Sequence, residues 1–185
     1  MQRRVAKRVF INPIYKDRAT VLKTGEDTNG HYLLGLLEIS PGGGNHMHTH
    51  SRFEETFTAV EGRLGVQYGD RKIYLKPGES LTVPVGQPHH FFNDGKRTVT
   101  CRIKIAPAHE GFIKGIAIAY GLAADGLSNK KGVPKSLLHL ALIIHLTDTI
   151  ATGPLRWMMP LFGWMARRAG KKGIEQQLLD KYYYE

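Results

Sequence analysis

Up to Pro107, the chain consists of short runs of β-branched and aromatic residues separated by turn residues. The last run, Thr98–Ile105, alternates cleanly, with Val99, Cys101 and every second residue after them apolar. This pattern is typical of a strand with one buried face. Many short strands at even spacing predict a small all-β barrel or sandwich. The runs are Val9–Ile14, His31–Ile39, Phe57–Glu61, Leu64–Tyr68, Lys72–Leu75, Leu81–Val85 and Thr98–Ile105.

After Pro107 the apolar residues recur at helical spacing instead. The predicted helices are Glu110–Ala124, Ser136–Ile150, Pro154–Ala169 with a kink near Pro160, and Ile174–Tyr183. The sequence therefore predicts a mainly β protein: a barrel over residues 1–107, followed by a helical extension over residues 108–185.

The predicted helices of the extension are too apolar to be solvated on all sides. Packing on the barrel or in a homodimer is the favoured interpretation, because apolar stripes at helical spacing mostly form cores. A lid over a pocket is the least favoured alternative. Contact with a membrane surface is less favoured, although Trp157 and Trp164 lie seven residues apart with basic residues just beyond them. These basic residues are Arg167, Arg168, Lys171 and Lys172.

Charge, cysteine content and the length of the apolar segments exclude several classes of protein. The net charge of +10 comes from 26 basic and 16 acidic residues, but no nucleic-acid recognition motif accompanies it, so we expect no nucleic-acid partner. A single cysteine, Cys101, excludes an intrachain disulfide framework. The basic first ten residues precede no apolar segment of signal-peptide length, and no uncharged stretch is long enough to span a bilayer. We expect a cytoplasmic protein.

Five of the nine histidines fall in two tight groups, His46, His48 and His50, then His89 and His90. Residues two apart on a strand share a face, so His48 and His50 can point at one place in space. A glutamate shortly after them, and a histidine from another strand, would complete a set of nitrogen and oxygen donors. Such a set suits one first-row divalent ion: iron, manganese, nickel, copper or zinc.

The spacing of these residues resembles the two sequence motifs of the cupin family. Gly42, His48, His50, Glu55 and Gly62 match the first motif, and Gly78, Pro84, Gly86, His89 and Asn93 match the second. The resemblance covers about residues 30–107. It implies a double-stranded β-helix of the jelly-roll type with a metal in its mouth.

The resemblance assigns the metal ligands as His48, His50, Glu55 and His89. Glu54 is an alternative to Glu55, but only Glu55 keeps the motif spacing to Gly62.

Three other side chains near the motifs have weaker interpretations. His46 shares the face of His48 and is a weak candidate for a ligand or proton shuttle, with a rim histidine as the plainer interpretation. His90 should point away from His89 and is interpreted as structural. Cys101 is interpreted as a small buried apolar residue.

The predicted function is a metal-dependent enzyme of the oxygenase or isomerase/lyase type. Its substrate would be a small, partly apolar molecule that chelates the ion in the barrel mouth. A non-catalytic small-molecule binding or sensing protein is the alternative. The enzyme is favoured because no helix-turn-helix output segment accompanies the barrel.

Overall fold

The computed structural model describes residues 4–151 and 153–185, which form eleven strands, four α-helices and two short 3₁₀ helices. The strands are β1 Val9–Asn12, β2 Asp17–Lys23, β3 Leu33–Ile39, β4 His48–His50, β5 Glu54–Glu61, β6 Leu64–Tyr68, β7 Arg71–Leu75, β8 Ser80–Val83, β9 His89–Phe92, β10 Val99–Ala106 and β11 Thr149–Ala151. The helices are α1 Glu110–Ala124, α2 Leu137–Leu146, α3 Met159–Lys171 and α4 Ile174–Tyr182, and the 3₁₀ helices are Glu26–Thr28 and Gly153–Met158.

The strands form two antiparallel sheets that face each other. One has the order β1-β2-β3-β10-β5-β8, and the other has the order β11-β4-β9-β6-β7. Sequence neighbours often lie apart in these sheets, as in a jelly roll. The predicted alternation along β10 is confirmed: Val99, Cys101 and Ile105 are buried, whereas Arg102 and Lys104 are exposed. The fold is therefore mainly β with a helical C-terminus, as predicted.

The apolar side chains divide into three cores. The first fills the space between the two sheets and includes Phe57, Leu64 and Val66. The second lies where α1, α2 and α4 meet the β1 side of the six-stranded sheet, and the third joins α2 to α3 through Phe162. The extension thus packs on the barrel through the second core. No helix in the described ranges has both the length and the apolar character needed to cross a bilayer.

The extension differs from its prediction at two places. The helix predicted over Ser136–Ile150 ends at Leu146, because Asp148 adopts a left-handed backbone (φ 50°) that a helix cannot continue through. The chain then forms β11, which pairs with β4. The predicted kink near Pro160 is also wrong, since α3 only begins at Met159 and Pro160 sits in its first turn, where a missing N–H is tolerated.

Candidate metal centre

Three strands from both sheets bring together the four side chains assigned as ligands. His48 and His50 stand on β4, two residues apart, and His48 pairs directly with His89, the first residue of β9. Glu55 lies on β5 in the opposite sheet. The group therefore sits where the two sheets approach each other.

The donor atoms of these four residues all lie within 4.8 Å of one another. Oε2 of Glu55 is 2.8 Å from Nε2 of His89 and 3.7 Å from Nε2 of His50. Ligands held at ~2.1 Å from one ion are at most ~4.2 Å apart, so small side-chain movements bring the set around a cation. The group could hold a metal ion.

Backbone hydrogen bonds orient all three imidazoles. Each Nδ1 faces a backbone carbonyl oxygen, which only accepts, so Nδ1 carries a proton in all three rings. Nε2 of His48 and of His50 then presents a lone pair, whereas Nε2 of His89 donates to the Glu55 carboxylate at 2.8 Å. Nε2 of His50 is buried and has no hydrogen-bond partner among the described residues. A buried lone pair without a donor fits a metal ligand. The accepting carbonyls belong to His46 at 2.7 Å, Asp148 at 3.3 Å and Gln87 at 2.9 Å.

The electrostatics of the group also suit a cation. Burial, reinforced by its histidine neighbours, lowers the pKa of His48 to about 3, and burial lowers that of His50. Burial alone would raise the pKa of Glu55, but the hydrogen bond from His89 and the nearby imidazoles lower it to about 2. Burial likewise opposes the charged form of His89, yet Glu55 raises its pKa. An anionic carboxylate among imidazole nitrogens is a donor set for a divalent ion.

Asp148, which the sequence analysis missed, connects the C-terminal extension to this group. Its carboxylate accepts hydrogen bonds from the backbone N–H of Ser51 (2.7 Å) and of Arg52 (2.8 Å), and from the Ser51 hydroxyl. The adjacent strand β11 places Thr149 opposite His50. The only sequence feature that indicates a turn here is the aspartate itself, which stands between two β-branched residues and tolerates the left-handed backbone region. Asp148 therefore holds the turn that follows the His48–His50 strand.

Aromatic rings cover the other side of His50. The Phe53 ring stacks on the His50 imidazole at 4.4 Å between centroids, and Phe112 of α1 contacts both rings, at 5.9 Å from His50 and 5.7 Å from Phe53. His109, just before α1, stacks on Phe53. These contacts exclude water from one side of the ligand group.

A cavity of about 440 Å³ extends from His48, His50 and Glu55 to the helices. Phe91 lines this cavity, whereas Phe57 and Ala59, which alternate with Glu55 along β5, do not and pack in the core between the sheets. The main walls come from β2, β3, β10, α1 and α2. They include Leu33, Leu37, Ile103, Phe112, Ile116 and Leu140.

The cavity has a second polar position on its helical side. There the hydroxyl of Tyr120 on α1 donates to Oδ2 of Asp17 at 2.9 Å, and Tyr15 also lines the cavity. Burial, with only partial relief from the Tyr120 hydrogen bond, raises the pKa of Asp17 to about 7. The cavity therefore has apolar walls and two separate polar positions, one at the histidine and glutamate group and one at Tyr120.

The other singled-out residues lie outside the group of four. Glu54 is exposed, whereas its neighbour Glu55 is buried. His46 lies at the cavity edge, with its ring against Tyr15 and Nε2 facing the carbonyl of Lys131. His90 packs against Phe92 on the opposite side of β9 from His89. A role for His46 in proton transfer stays a prediction.

Cys101 is fully buried in the core between the sheets. Burial raises the pKa of its thiol to about 12, with Asp17 and Glu55 adding to the shift. It has the environment of a small apolar residue.

Comparison with known proteins agrees with this geometry. Residues 35–103 match the Cupin_2 family, described as a cupin domain. This part of the chain is a cupin domain. The match spans most of β3 to most of β10 and includes His48, His50, Glu55 and His89, whereas β1, β2, β11 and the four α-helices lie outside it. A search of curated proteins finds no significant match.

Solved structures with similar folds include several cupins and related proteins. The polyketide cyclase RemF from Streptomyces resistomycificus is 24% identical, with a TM-score of 0.46 over 57% of this chain and 79% of RemF. A predicted oxalate decarboxylase from Thermotoga maritima is 17% identical, with a TM-score of 0.47 over 49% of this chain and 80% of that chain. TT1209 from Thermus thermophilus is 25% identical, with a TM-score of 0.47 over 52% of this chain and 88% of that chain.

Proposed function

We propose that this cupin is a metal-dependent enzyme of the oxygenase or isomerase/lyase type. Its substrate is a small, partly apolar molecule that reaches the metal through a chelating polar end. The observation that carries the proposal is the position of His48, His50 and Glu55 at the edge of a largely apolar cavity. A metal ligand group that opens on a ligand-sized cavity is the arrangement of a catalytic site rather than a closed structural one.

The proposed metal ligands are His48, His50, Glu55 and His89. A bound divalent ion would supply Lewis acidity or a binding place for a reacting ligand. Four protein donors leave open positions on an octahedral ion, so a chelating substrate has access to it.

The protein's own groups prepare this chemistry. The carbonyl acceptors hold a proton on each Nδ1, so that His48 and His50 present free Nε2 lone pairs and only His89 has to release the Nε2 proton that it donates to Glu55 before a cation is bound. Phe53 and Phe112 exclude water beside His50 and so strengthen the electrostatic interactions there. The apolar walls orient the remainder of the substrate by contact alone.

Metal content of the untagged protein is the first test. We expect one divalent transition ion per chain and, for zinc, nitrogen ligands at ~2.0–2.1 Å in X-ray absorption spectra. His50→Ala should weaken metal binding by more than ~100-fold, because losing a ligand exceeds the 10–100-fold cost of losing an outer partner. His90→Ala removes a histidine next to His89 but outside the group and should leave metal binding unchanged. Equal binding by both variants would contradict the assignment.

Turnover separates the enzyme from the sensing alternative. The metal-loaded protein is incubated with a panel of small apolar chelators, such as enols, hydroxy ketones and catechols, with and without dioxygen. Product formation that His50→Ala abolishes and His90→Ala retains supports the enzyme. Tight binding of these chelators with no chemical change would contradict the enzyme and favour a sensing protein.

A further inference from the structure

The structure leaves an exposed apolar surface at the start of α3. Trp157, in the preceding 3₁₀ helix, is 89% exposed, and Leu161 and Trp164 of α3 are 46% and 55% exposed. The inner side of α3 is different, because Phe162 and Ala166 are buried against the rest of the chain. Large aromatic side chains left in water on one side of a helix indicate a surface that is covered in use.

Basic residues continue the same outer surface toward the end of α3. Arg168 lies 5.8 Å from the Trp164 ring centroid, and Arg167, Lys171 and Lys172 are exposed beside it. No aspartate or glutamate occurs between Thr149 and Ile174, and no salt bridge to these four side chains is found among the described residues. Together with Arg156 the segment carries five positive charges, and the first acidic residue after it, Glu175, compensates only one of them.

We propose that this surface binds an anionic lipid membrane, with Trp157, Leu161 and Trp164 in the headgroup region and the basic end of α3 on the lipid phosphates. Tryptophan and basic side chains on one exposed side of a helix are the elements of interfacial membrane binding. The inference does not depend on the metal centre, since none of these residues touches it.

Charge favours a membrane over a second copy of this chain as the occupant. A two-fold interface places the same patch on both subunits, so each copy would bring five positive charges toward five others. An anionic bilayer instead offers opposite charge to the basic end and a partly apolar layer to the tryptophans.

The chain provides its own probe for this surface, because Trp157 and Trp164 are its only tryptophans. Fluorescence of the full chain is recorded with vesicles of phosphatidylcholine alone and of phosphatidylcholine mixed with phosphatidylserine, at ~0.05 M and ~0.5 M salt. We expect a shift to shorter wavelengths and protection from acrylamide with the anionic vesicles only, and a loss of both at high salt.

Charge variants locate the binding surface. Each basic side chain near an anionic bilayer contributes about fivefold to the binding constant, so K171Q/K172Q should weaken binding by about 25-fold. The matched control K96Q/R97Q removes the same charge from an exposed loop and should bind like the wild type. Trp157→Ala, at a nearly fully exposed position, should reduce binding at equal net charge.

Three results would overturn the proposal. The first is an unchanged spectrum with anionic vesicles, and the second is equal weakening by K171Q/K172Q and K96Q/R97Q, which would reduce the effect to net charge. The third is a spectral shift without vesicles that grows with protein concentration and accompanies a dimer in sedimentation, which would assign the surface to a second copy.

Discussion

Replacing Asp148 by alanine tests whether the helical extension positions the proposed metal ligands. The Asp148 carboxylate is 11% exposed and accepts three hydrogen bonds from Ser51 and Arg52, directly after the strand that carries His48 and His50. Its carbonyl also faces Nδ1 of His50 at 3.3 Å. Alanine keeps the carbonyl but removes the carboxylate, and it disfavours the left-handed backbone at this position.

The magnitude follows from these contacts. Three hydrogen bonds at about 1 kcal/mol each, the value for a partly solvated turn, and roughly 1 kcal/mol for alanine in the left-handed region predict a loss of about 4 kcal/mol in the free energy of unfolding. The turn and the Asp148 carbonyl would move with the loss of the carboxylate. Outer partners of metal-bound histidines contribute 10–100-fold in affinity, so zinc binding should weaken within that range.

The assay is competition for zinc against a chelator of known affinity, together with urea unfolding. Asp148→Asn tolerates the left-handed backbone and retains one acceptor oxygen, so its affinity should lie between those of the wild type and Asp148→Ala. Asp27→Ala is the matched control, because Asp27 also accepts hydrogen bonds from the backbone and hydroxyl of a turn residue, Thr24, and does not touch the metal group. Asp27→Ala should lower the free energy of unfolding without changing the affinity for zinc.

The reasoning fails if Asp148→Ala binds zinc as tightly as Asp27→Ala does. The metal ligands would then be fixed by the cupin domain alone, and β11 would be a passive edge strand.

Three further predictions concern stability and reactivity. Between about pH 4 and pH 7 the folded chain holds a proton on Asp17 that the unfolded chain releases, because burial raises the pKa of Asp17 to about 7; the free energy of unfolding therefore falls as pH rises. The free energy of unfolding of the wild type, measured in urea relative to that of Asp17→Asn, should fall by about 2–3 kcal/mol from pH 5 to pH 8, because the contributions of His48 and His50 are common to both proteins, and parallel pH profiles would contradict this. Phe162→Ala, in the core between α2 and α3, should cost about 3–5 kcal/mol in urea unfolding, against less than ~1 kcal/mol for the half-exposed Leu161→Ala. Cys101, with a thiol pKa of about 12, should react with a disulfide reagent at pH 8 only after urea is added, and rapid reaction of the folded protein would show that its core opens.

Sequence patterns predicted the strands and helices whose formation depends on their own residues rather than on a distant partner. The bounds of β6 and α1 agree with their predictions, because the first is an apolar run ended by a Gly-Asp turn and the second keeps helical spacing up to Asp125-Gly126. β2 was missed because charged residues begin and end it, at Asp17 and Lys23, and its burial depends on pairing with β3.

The convergence of His48, His50, Glu55 and His89 was expected from motif spacing, and the structure brings the four side chains together. The rest of the site could not be predicted from a local pattern. β11 has three residues, and Asp148 stands about 100 positions from the turn that it holds, so no local pattern predicts that they pair with β4 and its turn. The helical wall of the cavity likewise arises only when α1 and α2 pack on the barrel.

The metal group and the cavity wall come from different parts of the chain. The four proposed ligands lie within residues 35–103, the cupin domain, whereas much of the wall comes from β2, α1 and α2, outside the family match. Phe112 joins the two, since it lines the cavity and touches the ring of His50. The family match therefore covers the side chains that could hold a metal ion, while much of the wall that a ligand in the cavity would touch lies outside it. A ligand search is best directed by the shape and apolar character of that wall rather than by the substrates of other cupins.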